Sequence, residues 1–254
     1  QAMNFAEVPT TSEEKPLVLK TSTTTETTSD AVNTVAVAMP VTQEKSLYMD
    51  INMPATTVEV AAAPAENGEE GTTTIHKIVA STASNTLVVN KGVTITTLVV
   101  KGGNVRVKNG SIITNLSRDD SNIDEQTIIY QEDGAKLPEN LSSVENIVVV
   151  NASATDMTAA FAKGGLYMLA SDIDITKTSV IVPADKTVTL DLNGHTIKAA
   201  NATSEEGRIT VLGNFTLKDS KGGGKIESTT DYVAGKFSSG LIGVFGKMTM
   251  EGGD

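Results

Sequence analysis

Three aspartates, Asp172, Asp174 and Asp191, come nearest in type and spacing to a reactive or metal-binding group. Asp172 and Asp174 share one parity of an extended segment, and Asp191 lies between two leucines in the next apolar run. Outward carboxylates on adjacent strands could converge, and the ion they would suit is a hard one such as Ca2+. Such a cation takes about six to eight oxygens, and the spacing fixes no such number. Solvated turn aspartates are the competing reading, so the chain calls for no cofactor unless these side chains meet.

The two histidines, His76 and His195, lie too far apart in sequence to suggest a zinc site. His195 follows Asn193-Gly194 and is expected to face solvent, with no serine or partnered acid in an interpretable frame to make it a general base. His76, between Ile75 and Ile78, reads as an outward strand residue. Gly222-Gly223-Gly224-Lys225 lacks the earlier glycine and the following Ser/Thr of a phosphate loop and is read as a wide turn. Tyr167, Tyr232 and Phe237 are the aromatic residues placed to stack on sugar rings. Anchoring a core or loop is their alternative role.

These groups must be positioned by strands. Aromatics are 4% of the 254 residues and tryptophan is absent, so Val, Ile and Leu must build the core. With abundant Thr, those residues suit a pleated, half-buried surface, and 21 glycines punctuate the short apolar runs. The composition predicts an all-β protein. A net charge of −11 would repel a phosphate backbone, which argues against a nucleic-acid partner. The absence of cysteine removes disulfides and thiolate chemistry. No run approaches the roughly 20 apolar residues of a membrane-spanning helix. Glu251-Gly252-Gly253-Asp254 places a turn directly after a strand-like run, which suggests that the natural protein continues.

Residues 1–63 read as an N-terminal β-domain of antiparallel strands packed as a small sandwich. Leu47, Met49, Ile51 and Met53 alternate onto one face. Thr21 to Ser29 is either a solvated edge strand or a linker. Ala61 to Gly71 is the clearest loop, with Pro64 and Asn67-Gly68.

Residues 72–150 change texture, to strands of three or four residues between short turns such as Asn90-Lys91-Gly92 and Lys101-Gly102-Gly103-Asn104. Strands this short suit a solenoid better than a sandwich. Ser117 to Glu125 is a polar interruption. Ala154 to Gly165 is the one good helix, with Thr155 as N-cap and Met157, Ala160 and Phe161 on one face, and it reads as a cap on the coils that follow.

Residues 151–254 carry the repeat. Ile209, Val211, Gly213, Phe215 and Leu217 recur as Ile242, Val244, Gly246, Met248 and Met250 at an offset of 33 (242 − 209). Val188-Thr189-Leu190 matches Phe215-Thr216-Leu217 at an offset of 27 (215 − 188). Unequal offsets around a constant strand pattern predict stacked coils with variable loops. In Leu190-Asp191-Leu192 the leucines are expected to point inward and Asp191 outward, with Asn193-Gly194 making the corner.

The stretch from Gly165-Leu166-Tyr167-Met168-Leu169 through Leu190-Asp191-Leu192-Asn193-Gly194-His195-Thr196-Ile197 to Gly222-Gly223-Gly224-Lys225-Ile226 resembles right-handed parallel β-helix proteins of the pectate-lyase-like class. More narrowly, it is similar to adhesin-type surface proteins of gut bacteria. The resemblance covers residues 155–254. It implies a right-handed parallel β-helix for residues 151–254 and a secreted or outer-membrane-associated cell-surface location in a bacterium. It further implies a non-enzymatic scaffold that adheres to an extracellular glycan or a host or matrix component. The rival implication is a polysaccharide lyase or glycoside hydrolase of the same class, for which Asp172, Asp174 and Asp191 would have to converge near an Arg or Lys.

Overall fold

The computed structural model describes residues 2–4, 7, 9–20, 34–39, 46–54, 56–65, 68–82, 85–119, 125–151, 154–200, 208–229 and 240–253. The predicted Thr21–Ser29 segment therefore lies outside the described residues. The chain divides into two compact units, Gln1–Ile147 and Val148–Asp254.

The first unit is built from strands β1 (Ala2–Asn4), β2 (Leu17–Lys20), β3 (Thr34–Met39), β4 (Tyr48–Asn52), β5 (Thr57–Ala62), β6 (Thr73–Ala80), β7 (Thr86–Val89), β8 (Val93–Val100), β9 (Gly103–Val107), β10 (Ile112–Arg118) and β11 (Thr127–Gln131). Odd-numbered strands form one sheet, in the order β1-β3-β5-β7-β9-β11, and even-numbered strands another, in the order β2-β4-β6-β8-β10. Neighbours pair in parallel.

This corrects the expected sandwich. Strands within residues 1–63 pair in parallel with one another, Leu17 opposite Met49 and Val35 opposite Val58, and join the same two sheets as the strands that follow. Leu47, Met49, Ile51 and Met53 share one face as their alternation predicts, and all four are buried. Alternation alone does not specify strand direction.

The register stacks like on like. Val35, Val58, Leu87, Val105 and Ile129 form one inward column of the odd sheet, and Val37, Val60, Val89 and Val107 another. These nine side chains are buried. Each long strand of the even sheet breaks its period once. Ile75 and Ile78, Ile95 and Leu98, and Ile113 and Leu116 are all buried, with two outward residues between the members of each pair. The breaks lie in register, since Ile75 pairs Ile95, Ile95 pairs Ile113, and Ile78 pairs Leu98. The three strands thus bend at the same level, with His76-Lys77, Thr96-Thr97 and Thr114-Asn115 outside the bend. The predicted short strands Val93–Ile95 and Leu98–Val100 are two halves of one bent strand.

The second unit contains β12 (Ile147–Asn151), α1 (Ala154–Lys163), β13 (Gly165–Leu169), β14 (Ile173–Asp174), β15 (Val180–Val182), β16 (Thr187–Asp191), β17 (Thr196–Ala199), β18 (Ile209–Val211), β19 (Asn214–Lys218), β20 (Lys225–Ser228), β21 (Ile242–Val244) and β22 (Lys247–Met250). Its strands fall into three open parallel sheets, β12-β13-β16-β19-β22, β14-β17-β20 and β15-β18-β21, and successive coils add one strand to each of the three. This winding fits a parallel β-helix. The sequence repeats are the pairing register. Ile209 pairs Ile242 and Val211 pairs Val244, while Phe215 and Leu217 pair Met248 and Met250. Val188 and Leu190 pair Phe215 and Leu217.

The recurring Gly213 and Gly246 have a steric cause. A Cβ on Gly213 would sit 2.2 Å from the Pro183 carbonyl oxygen, and one on Gly246 would sit 2.2 Å from that of Gly213. At this corner the backbones of adjacent coils approach too closely for any side chain.

Helix α1 packs on β15, the first strand of its sheet, and on β13. Met157, Ala160 and Phe161 are buried as expected, and the Phe161 ring lies 5.7 Å from Phe215 and 6.0 Å from Tyr167. Thr155 lies one residue inside the helix rather than at its cap.

Candidate functional site

The corner between β16 and β17 brings together Asp191, Asn193-Gly194 and His195. Asn193 and Gly194 adopt φ of 51° and 78°, the left-handed pair of a tight turn. The Asp191 carboxylate lies beneath that turn, not outside it as expected. It is 2% exposed, and its Oδ1 accepts from the Asn193 N–H at 2.9 Å and from the Ser220 N–H of the next coil at 2.9 Å. Strand β16 ends at Asp191, so alternation stops there and the corner rolls the side chain inward. Lys218, opposite it in β19, holds its ammonium 3.7 Å from Oδ2.

Asp219, one residue after the Lys218 that pairs Asp191, holds the same corner from the next coil. Its Oδ1 accepts from the Gly194 N–H at 2.7 Å and its Oδ2 from the Gly224 N–H at 2.7 Å. Desolvation pushes this carboxyl up, but the N–H groups of Gly224, Gly194, Gly222 and Lys221 outweigh it and hold the group below its ordinary value. The Asn193 Nδ2 donates to Leu169 O of the preceding coil at 3.1 Å. Asp191, Asn193 and Asp219 therefore stitch successive turns together, which explains why Gly222-Gly223-Gly224 forms a wide loop around a carboxylate.

The remaining candidates are dispersed. Asp172 is exposed, and its Oδ1 accepts from the Thr196 N–H at 2.9 Å and lies 3.4 Å from His195 Nδ1. The Thr196 bond, aided by His195 and Lys198, keeps its carboxyl below the usual range. Asp174 accepts from the hydroxyl and N–H of Thr176, at 2.6 and 2.8 Å, and is likewise lowered. On the outer face of their sheet Asp174 pairs Lys198, and Lys198 pairs Glu227, which also bonds Lys225 at 2.6 Å. Charges on this face alternate in sign. Among the described residues, no group of three or more His, Asp or Glu is placed to hold a metal ion.

Of the aromatic candidates, Tyr232 and Phe237 lie outside the described residues. Tyr167 is 3% exposed, with its hydroxyl 2.9 Å from Ala160 O and 2.7 Å from Gly164 O, so it anchors the end of α1 and offers no surface for a sugar ring. Burial raises its pKa. Its parity was readable, because Tyr167 and Leu169 share a face of β13 and both are buried. His76 is half-buried on the outer side of β6, its Nδ1 accepting from the Leu47 N–H at 3.4 Å and its ring stacked on Tyr48.

One surface group escaped the sequence reading. Arg106 of β9 pairs Tyr130 of β11, and its guanidinium sits 4.5 Å from the ring centroid. In register, Arg106 also pairs Val88, which is buried, and Val88 pairs Glu59. Only the 24-residue offset between the two strands (130 − 106) brings the pair together. A shallow depression of about 280 Å³ lies at the predicted 61–71 loop, lined by Ala62, Pro64, Gly68, Glu69, Glu70 and Lys91. Within it Lys91 pairs Glu70 at 2.6 Å.

No family model, curated protein or solved structure matches the chain.

Proposed function

We propose that the chain is a non-enzymatic scaffold of the bacterial exterior, secreted or displayed at the cell surface, which adheres through its β faces to an extended glycan or a matrix component. The supporting observation is the unbroken parallel register, which lines outward side chains into straight columns. Arg106 and Tyr130 stand in one, and Leu166, Thr189, Thr216 and Thr249 in another. Side chains about 4.8 Å apart along such a column present hydroxyl, guanidinium and ring groups at a spacing that a periodic polymer can follow. The winding we propose is right-handed, the hand that strand twist favours for parallel crossovers, in the manner of the pectate-lyase-like class.

The commitment of the carboxylates argues for a scaffold over a lyase. Asp191 is held by two backbone N–H groups, Asp174 closes its own turn, and Asp172 caps Thr196. The Asp172–His195 pair is the observation that favours the rival reading of a polysaccharide lyase or hydrolase. A glycan array combined with a turnover screen on polyuronides separates the two. Binding without cleavage, reduced by Tyr130→Ala, is the expected result. Cleavage abolished by changing Asp172, Asp174 or Asp191 would overturn the scaffold.

A further inference from the structure

The sequence holds three Asn-Gly pairs, at 67–68, 109–110 and 193–194. In such a pair the glycine nitrogen can attack the preceding side-chain amide, because glycine has no side chain to block the approach. In a folded chain two bonds oppose that attack, one holding the glycine N–H and one holding the asparagine amide. At 193–194 both are present. Gly194 N–H donates to Asp219 Oδ1 at 2.7 Å, and Asn193 Nδ2 donates to Leu169 O at 3.1 Å. At 67–68 the Gly68 N–H donates to Ala65 O at 2.8 Å.

The pair at 109–110 is different. It forms the turn between β9 and β10, closed by the Ser111 N–H on Lys108 O at 3.0 Å, with Gly110 at a φ of 76°. Asn109 is exposed, and its own N–H donates to Glu132 Oε2 at 3.1 Å. Among the described residues, neither its side-chain amide nor the Gly110 N–H has a hydrogen-bond partner.

We infer that Asn109 is a site of spontaneous deamidation in the folded chain, and that Asn193 is protected from the same reaction. The Gly110 nitrogen bonds to Asn109 Cγ, the Cγ–Nδ2 bond breaks, and the Nδ2 group leaves as ammonia with the proton that Gly110 gave up. Water then opens the cyclic imide at either carbonyl. The product is aspartate, or isoaspartate with the main chain rerouted through the former side chain. The change is felt on both sides of the turn. Gly110 O accepts the Gly92 N–H of the preceding coil at 3.2 Å, and a Cβ on Gly134 of the following coil would sit 2.7 Å from Asn109 Oδ1. A new carboxylate beside Glu132, or an extra methylene in the main chain, loosens this corner.

Peptide mass mapping of the full chain, aged at mildly alkaline pH, tests this. The peptide holding Asn109 is expected to gain about 1 Da and to split into aspartate and isoaspartate forms. It should do so at least about tenfold faster than the peptide holding Asn193, where Gly194 must first give up a charge-assisted bond. In denaturant the two rates should converge. Asp219→Ala should free the Gly194 N–H and raise the rate at Asn193 while that at Asn109 stays unchanged, and Asn109→Gln should remove the fast phase. An unaltered Asn109 peptide, or equal rates at Asn109 and Asn193 in the folded chain, overturns the inference. A difference that persists in denaturant overturns it too, since it would then belong to the flanking residues and not to the fold.

Discussion

Both units turn corners through positive-φ glycines such as Gly92 and Gly194, but the first also has a corner that needs none. In the first, β6, β8 and β10 bend with no glycine at the bend, by placing two successive residues outside between buried pairs such as Ile95 and Leu98. In the second, the chain breaks into separate short strands and turns through Asn193-Gly194 or against Gly213, with Asp191 and Asp219 bonded into the corner. A bend in register costs nothing in special residues but relies on apolar columns on either side of it. A sharp corner needs glycine for space or sign of φ, and polar side chains to occupy the freed N–H groups. The lesson is that parallel stacking constrains the levels of the corners more tightly than their chemistry.

Six substitutions and one titration would break or sharpen this contrast. Leu98→Ala should cost most, about 4 kcal/mol, because Leu98 is fully buried between Ile78 and Leu116 at the bend. Chemical denaturation of the variant measures it. Gly213→Ala should follow at about 3 kcal/mol, since the added carbon meets two carbonyl oxygens at 2.2 and 2.4 Å. Gly246→Ala, whose added carbon meets the Gly213 and Leu212 carbonyl oxygens at 2.2 and 2.4 Å, should cost about the same, and a much smaller loss would show that this corner yields more easily than its counterpart.

The titration concerns acid. Asp172, Asp174 and Asp219 all have carboxyls lowered by corner or turn hydrogen bonds, and Asp185 is lowered by Lys186. In the first unit Glu132, lowered by Lys108, is the counterpart. A depressed folded-state pKa gives stability that is fully present above the unfolded value and lost as pH falls through the folded one. Hydrogen exchange should therefore show the second unit losing protection first as pH drops below about 4, and Asp219→Asn should blunt that loss. Tyr167→Phe should cost about 1 kcal/mol and loosen the end of α1. Thr96→Ala, at the outside of the bend, should change stability by less than about 0.5 kcal/mol. A larger loss there would mean that the outward pair itself shapes the bend.

The legible parts of the fold were those in which residue types recur at the pairing register. Ile209 to Leu217 and Ile242 to Met250 could be matched by eye because the same columns demand the same residues, and the coordinates pair them at that offset. The first 63 residues hid their pairing because coils such as Leu17 to Met49 span 32 residues (49 − 17), with long polar excursions between matching strands. The candidate site was legible only as a corner. Asp191 defeated alternation because its strand ends there, and Asp219 carries no signal until the Gly194 and Gly224 N–H groups are seen to meet its carboxylate. Arg106 and Tyr130 became neighbours through register alone.

The unequal coil lengths of the second unit have a mechanical consequence. Successive strands of its main sheet are 23, 27 and 33 residues apart (188 − 165, 214 − 187, 247 − 214). Each rung is held to its neighbour by its own row of bonds, so a chain pulled from its carboxyl end should peel one winding at a time. A force trace would then be a sawtooth whose teeth shorten inward, with releases of roughly 110, 90 and 80 Å of slack, a ruler written into the loops.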